Sequence, residues 1–274
     1  MDLEKLYGQA GRELRAEFSA IDPLNFDGEK ADVIRKKTRR LTLALNLAAK
    51  RWTDTELLKA YTLGTRRARV ALEILGRKPR RQPMAKDMAI RDKALETLVE
   101  ANTSIRRTVD EILQAALMGA HTARVAQVQE FDRDEILARF EELGEKALKA
   151  QISRGELGRE IYDYLIGQID ELGFINVNGR YWDPRKYAKL VARTELRKAQ
   201  TEATEELCRQ YENDLVQVSD HATDCEVCEE YEGNIYSLSG KDQDYPKLEE
   251  SPPYHPNCKH SILPTSREAI RARG

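Results

Sequence analysis

The chain has no long apolar run. Nowhere in its 274 residues does it approach the roughly 18 to 20 consecutive apolar residues that span a bilayer, so no membrane partner is expected. Its first residues, MDLEKLYGQAGRELRAEF, lack the apolar core of a secretory leader, and the newly made protein is expected in a reducing cytoplasm. Cysteine is scarce, at four residues, which in that compartment are expected as thiols or metal ligands rather than disulfides. Net charge is nearly absent too, at -2, so overall charge points to no class of partner. No Walker loop, dinucleotide fingerprint or Ser/His/Asp arrangement is found, and no small-molecule substrate is expected. The chain also lacks internal repeats and low-complexity tracts.

What is present is charge, segregated along the chain. From Arg35 to Lys86 sixteen Lys or Arg face only Asp54, Glu56 and Glu73. From Glu130 to Glu171 twelve acids oppose six bases, and acids dominate again from Glu212 to Glu250. Such blocks are either solvated helix faces, or a basic N-terminal half that meets an acidic surface or nucleic acid without reading sequence.

The periodicity is helical over most of the chain. Leu3, Leu6, Ala10 and Leu14 begin an amphipathic helix, interrupted by Asp22-Pro23 and Asp27-Gly28, and Val33 to Lys50 continues at helical spacing. Thr53 followed by Glu56 fits a capping box, predicting a new helix from there to about Leu75, ended by Gly76. GRKPRRQP, with two prolines, holds no helix well. Residues 86–129 carry no proline and predict one long helix, or two bent near Gly119, without a fixed coiled-coil register. Further helices are expected over 132–149 and, from a Ser153/Glu156 capping box, 153–172.

Near Gly173 the character changes. Phe174 to Val177, the pair Asn178-Gly179, and Arg180 to Trp182 predict a hairpin. Asp183-Pro184 suits the start of a helix to about Tyr211, and Leu215 to Val218 and Ile235 to Leu238 predict paired strands. The expected fold is mainly α: a helical, charge-segregated region over 1–172, then a small α+β module over 173–274.

That module carries Cys225-x-x-Cys228 and, after 26 intervening residues, His255-Pro256-Asn257-Cys258. A CxxC turn aims two sulfurs at one point, and HxxC does the same for an imidazole and a sulfur. Together they make a Cys3His set, which suits structural zinc. The polar loop between them needs a cross-link to hold its shape. Four protein ligands leave no open position for a catalytic water, so Cys225, Cys228, His255 and Cys258 point to a brace rather than to hydrolysis. The fourth ligand stays open, since His260 and His221 are near enough to replace His255. Cys208 reads as a packing residue. Asp220-His221 makes a poor acid/base pair, because neighbours on a strand face opposite ways. The enzyme alternative is a zinc-braced HNH-like nuclease, but the sixteen residues after Cys258, with Pro264 among them, leave little room for its helix.

Three strings carry a family resemblance: VARTELRKAQTEA (Val191 to Ala203), VSDHATDCEVCEEYEGNIYSL (Val218 to Leu238) and PPYHPNCKHSILP (Pro252 to Pro264). They resemble the phage head-morphogenesis family that includes the Mu F-like minor head proteins, and NGRYWDPRKYAKL (Asn178 to Leu190) is similar to a segment of related minor capsid proteins. The resemblance covers about residues 174 to 265. Where many relatives close on His-Pro-Asn-Cys-Arg-Cys, this chain has Lys259 and His260. The family implies a structural, non-enzymatic minor head protein that associates with the portal and other head proteins and stays in the virion, inside the head. There it can contact packaged DNA, and residues 35–86 are the stretch suited to that. Arg193, Thr194 and Glu195 then have either a fold-internal or a partner-binding role.

Overall fold

A computed structural model describes residues 2–21, 26–78, 89–128, 173–222 and 224–272. The helices expected at 132–149 and 153–172, the Asp22-Pro23 break and most of GRKPRRQP lie outside the described residues. The described chain is mainly helical, with two small sheets toward its C-terminal end, as expected.

Helix α1 (Leu3–Ser19) starts where the Asp2 side chain accepts the Lys5 N–H at 3.2 Å. Its buried residues Leu3, Tyr7, Ala10, Leu14 and Phe18 recur every three or four positions. Helix α2 (Gly28–Trp52) begins the same way, with the Asp27 carboxylate accepting from Lys30 N. The capping box expected at Thr53 does not form. Residues Thr53–Leu57 instead make one turn of π-helix, and the chain runs on as helix α3 (Leu58–Ile74). Thr53 is fully buried and its hydroxyl donates back to Lys50 O at 2.9 Å, while Glu56 pairs with Lys59. Capping needs an extended residue with free N–H groups ahead of it. Here burial of Trp52, Thr53 and Leu57 keeps the backbone helical, and the wide turn brings all three inward. The stop at Gly76 is as expected. Gly76 N bonds Glu73 O and Arg77 N bonds Leu72 O, with Gly76 at φ 71, a Schellman ending.

Helix α4 (Ala89–Val128) is a single helix, not two, and buries Leu98, Ile105, Val109 and Leu113. The expected hairpin follows: β1 (Ile175–Val177) pairs antiparallel with β2 (Arg180–Trp182). Asn178 at φ 51 and Gly179 at φ 79 form the turn. Ser104 of α4 ties the hairpin down by exchanging hydrogen bonds with both backbone groups of Asn176. Helix α5 (Pro184–Gln210) starts at Asp183, whose carboxylate accepts from Lys186 N at 3.0 Å and from Arg15 at 2.7 Å. Burial pushes the Asp183 carboxyl up, but the Arg15 guanidinium and the backbone N–H groups outweigh it and hold its pKa below the usual value.

The second sheet has the order β4–β3–β5, with β4 (Ile235–Ser237) and β5 (Ile262–Pro264) both antiparallel to β3 (Leu215–Val218). The β3–β4 pairing was expected, whereas β5 was not. Three residues ending in proline carry little strand signal, and Pro264 is tolerated because β5 is an edge. The described residues fall into two compact units, one from 49–97 and 189–274, the other from 2–48 and 98–188. Each draws on residues from either side of position 173.

In the first of these units α3 lies directly on α5. A Cβ on Gly64 would meet the backbone oxygen of Gln200 at 2.6 Å and its Cα at 2.8 Å. Ala68 and Leu72 extend the contact to Leu207 and Tyr211. Among the described residues no helix is long and apolar enough to cross a membrane.

Two substitutions test this packing by denaturant unfolding. Gly64→Ala should cost about 1–3 kcal/mol by forcing α3 off α5, although alanine favours an isolated helix. Asp183→Ala should cost about 1–2 kcal/mol, mostly through the lost cap, and Asp183→Asn clearly less because asparagine also caps. The Asp183 pKa is lowered in the fold, so its contribution is complete well above the unfolded Asp value of about 3.9 and is lost as pH falls through and below it. Equal costs for the Ala and Asn variants would contradict the capping role.

Candidate metal centre

The first ligand pair sits on a turn that its own backbone closes. Cys225 is extended, and the short helix α6 (Glu226–Glu229) follows it. Cys225 O accepts from both Cys228 N and Glu229 N at 2.9 Å, bringing the two side chains to one side. The second pair repeats this device: Cys258 N bonds His255 O at 3.1 Å across Asn257, whose φ of 67 turns the chain sharply. Asparagine tolerates that left-handed conformation better than most residues.

The two turns meet. Cys228 Sγ lies 3.8 Å from Cys258 Sγ and 3.0 Å from His255 Nε2, and Cys225 Sγ lies 3.4 Å from the same nitrogen. Bond lengths of about 2.3 Å to sulfur and about 2.0 Å to nitrogen put tetrahedral donors about 3.8 Å apart for two sulfurs and about 3.5 Å apart for sulfur and nitrogen. The 3.8 Å and 3.4 Å spacings fit a metal ion, while the 3.0 Å approach of His255 to Cys228 is closer than such donors stand. The four expected ligands, Cys225, Cys228, His255 and Cys258, all take part, but in two overlapping groups. Cys225, Cys228 and His255 form one, and Cys228, Cys258 and His260 the other, each with donor atoms within 4.8 Å of one another. These Cys/His groups can hold a metal ion, with Cys228 common to both.

The electrostatics agree. Burial, followed by the Cys258 and Cys225 thiols beside it, pushes the Cys228 thiol up to about 12. A thiol held neutral in this way is deprotonated when a metal coordinates it, which reverses the preference outright. Cys225 goes the other way, its pKa lowered chiefly by the Cys228 backbone N–H.

Around the sulfurs, Tyr254 stacks on Tyr231 at 4.2 Å, and Tyr231 and Tyr254 pack on a core of Cys208, Val216, Val218, Tyr236, Leu248 and Ile262. Cys208 is therefore the packing residue expected of it, its thiol pushed up to about 12 mainly by burial. His221 belongs to neither donor group. Its Nε2 lies 3.0 Å from Ser219 Oγ and its ring meets the edge of His260. Asp220 accepts from Ala222 N rather than from His221. Glu195 is buried and pairs with Lys198, while Arg193 is exposed. Sequence reasoning missed Glu232, whose carboxylate bonds His260 Nε2 at 3.0 Å and the His221 backbone N–H. In an acid-rich stretch nothing distinguishes this glutamate from its neighbours.

The model of the family described as phage minor capsid protein 2 matches residues 81–268, well over half of the chain and the whole of the candidate centre. The chain belongs to the phage minor capsid protein 2 family. The expected kinship with phage minor head proteins thus holds, and this family member is a structural protein of the phage head. No curated protein and no solved structure matches it.

Because Cys228 is shared by both groups, Cys228→Ser should abolish stoichiometric metal binding in this capsid protein, whereas Cys208→Ser should leave it intact. Elemental analysis of the purified variants decides this, and equal metal content in both would contradict the assignment.

Proposed function

We propose that this chain is a non-enzymatic minor component of a tailed-phage head. In this reading it assembles in the host cytoplasm beside the portal, remains inside the virion, and is braced by one structural zinc at Cys225, Cys228, Cys258 and a histidine, His255 being the one expected from the sequence. The family match over residues 81–268 is the observation that carries the reading. Zinc is favoured over harder divalent ions because the donors are thiol sulfur and imidazole nitrogen. A set of four protein donors leaves no position for a hydrolytic water, which argues against the nuclease alternative.

In the same reading residues 1–172 present surfaces to partners and 173–274 form the braced module. A minority of the basic stretch is neutralised locally, since Arg35, Lys37, Lys50 and Lys59 are ion-paired. Lys36, Arg39 and Arg40 on α2 and Arg66, Arg67 and Arg69 on α3 are exposed with no ion pair among the described residues. They suit sequence-blind contact with packaged DNA. On α3 the arginines flank exposed Leu63, Val70 and Ile74, a mixture better suited to an acidic protein surface such as another head protein.

Mass spectrometry of purified virions should find the protein in mature heads, and elemental analysis should find about one zinc per chain. Its absence from heads, or metal-dependent cleavage of DNA by the purified protein, would overturn the structural reading.

A further inference from the structure

The centre offers five donors, three sulfurs and two imidazoles, to an ion that takes four. We propose that His260 is one of the four ligands, that Glu232 is the residue that positions it, and that His255 is the donor in surplus. This rests on the metal reading above and concerns which side chains serve it.

The two imidazoles stand in different surroundings. His260 is 2% exposed, and its Nδ1 points at Cys258 Sγ, 3.4 Å away. Its other nitrogen bonds the Glu232 carboxylate at 3.0 Å, and the Glu232 side chain is only 10% exposed. A carboxylate there accepts a hydrogen bond from Nε2–H, leaves the Nδ1 lone pair facing the sulfurs, and raises the basicity of the ring. Metal-bound histidines are habitually held this way. Glu232 is itself fixed from a second side by the His221 backbone N–H. This places a carboxylate, an imidazole and a sulfur in a buried line ending at Cys258. His255 has a weaker outer partner, a backbone carbonyl rather than a carboxylate. It is part-exposed, and its Nδ1 bonds only the carbonyl of the adjacent Pro256. Cys225, by contrast, is fixed beside Cys228 by the turn that Cys228 N and Glu229 N close on its carbonyl, so it stays in the set. The resulting ligands are Cys225, Cys228, Cys258 and His260.

The test uses the full chain loaded with Zn(II) or Co(II) and titrated with a chromophoric chelator. His260→Ala should weaken binding by about 100-fold or more, and Glu232→Gln by about 10-fold, the scale of an outer partner's loss. His255→Ala should change it by less than about 3-fold, well below that scale. His260→Cys, which keeps a donor, should bind as tightly as wild type, and its Co(II) form should gain thiolate-to-cobalt absorption. That gain is a signature no merely structural histidine would produce, and it keeps the test open if the alanine variant does not fold. Loss of metal from His255→Ala with retention by Glu232→Gln and His260→Cys lacking the added absorption would overturn the assignment. Failure of the wild-type chain to bind either ion would instead remove the metal reading itself.

Discussion

The meeting of the CxxC and HPNC turns at Cys228 is the constraint on which the C-terminal residues depend. The strands there are three or four residues long, and the core behind them is six buried residues. So small an apolar core stabilises little by itself, and small scaffolds of this kind commonly rely on a metal or disulfides. Sulfur atoms gathered 3 to 4 Å from other donors would in the absence of a cation be an unfavourable arrangement, with burial holding the Cys228 thiol neutral. A bound ion would turn that cost into a cross-link between residues about thirty positions apart.

Helix α5 runs toward this centre. Its start is set by Asp183, locked by Arg15, and its later turns take α3 at Gly64 so closely that no side chain fits between. Its last turn carries Leu207 and Cys208, which face different partners: Leu207 packs with α3, and Cys208 enters the core beneath the sheet. One helix therefore contributes to both apolar clusters.

Much of this was legible in the residues. Helical periodicity located α1, α2 and α4, start and stop signals located α3 and α5, the Asn178-Gly179 pair specified its hairpin, and the CxxC and HxxC spacings named donors that the fold does bring together. These signals share a property: each is local, acting over a few residues. What was not legible is what depends on distant partners. The π-helical turn at Thr53 replaces a plausible capping box because burial of Trp52 and Leu57 outweighs a local hydrogen bond. Strand β5 exists because β3 offers it an edge, and Glu232 matters because His260, 28 residues away, turns toward it. The approach of α3 to α5 at Gly64 is likewise invisible until the two helices are side by side.

The central claim is that a metal ion, not the apolar core, holds the three-stranded sheet and its two ligand turns in place. Amide hydrogen exchange, compared residue by residue between metal-loaded and chelated protein, tests it most directly. Protection in β3, β4 and β5 and at the Cys228 and Cys258 amides should collapse on chelation, while the amides of α1, α2 and α4 keep theirs. Unchanged protection in the sheet after the metal is removed would contradict the account.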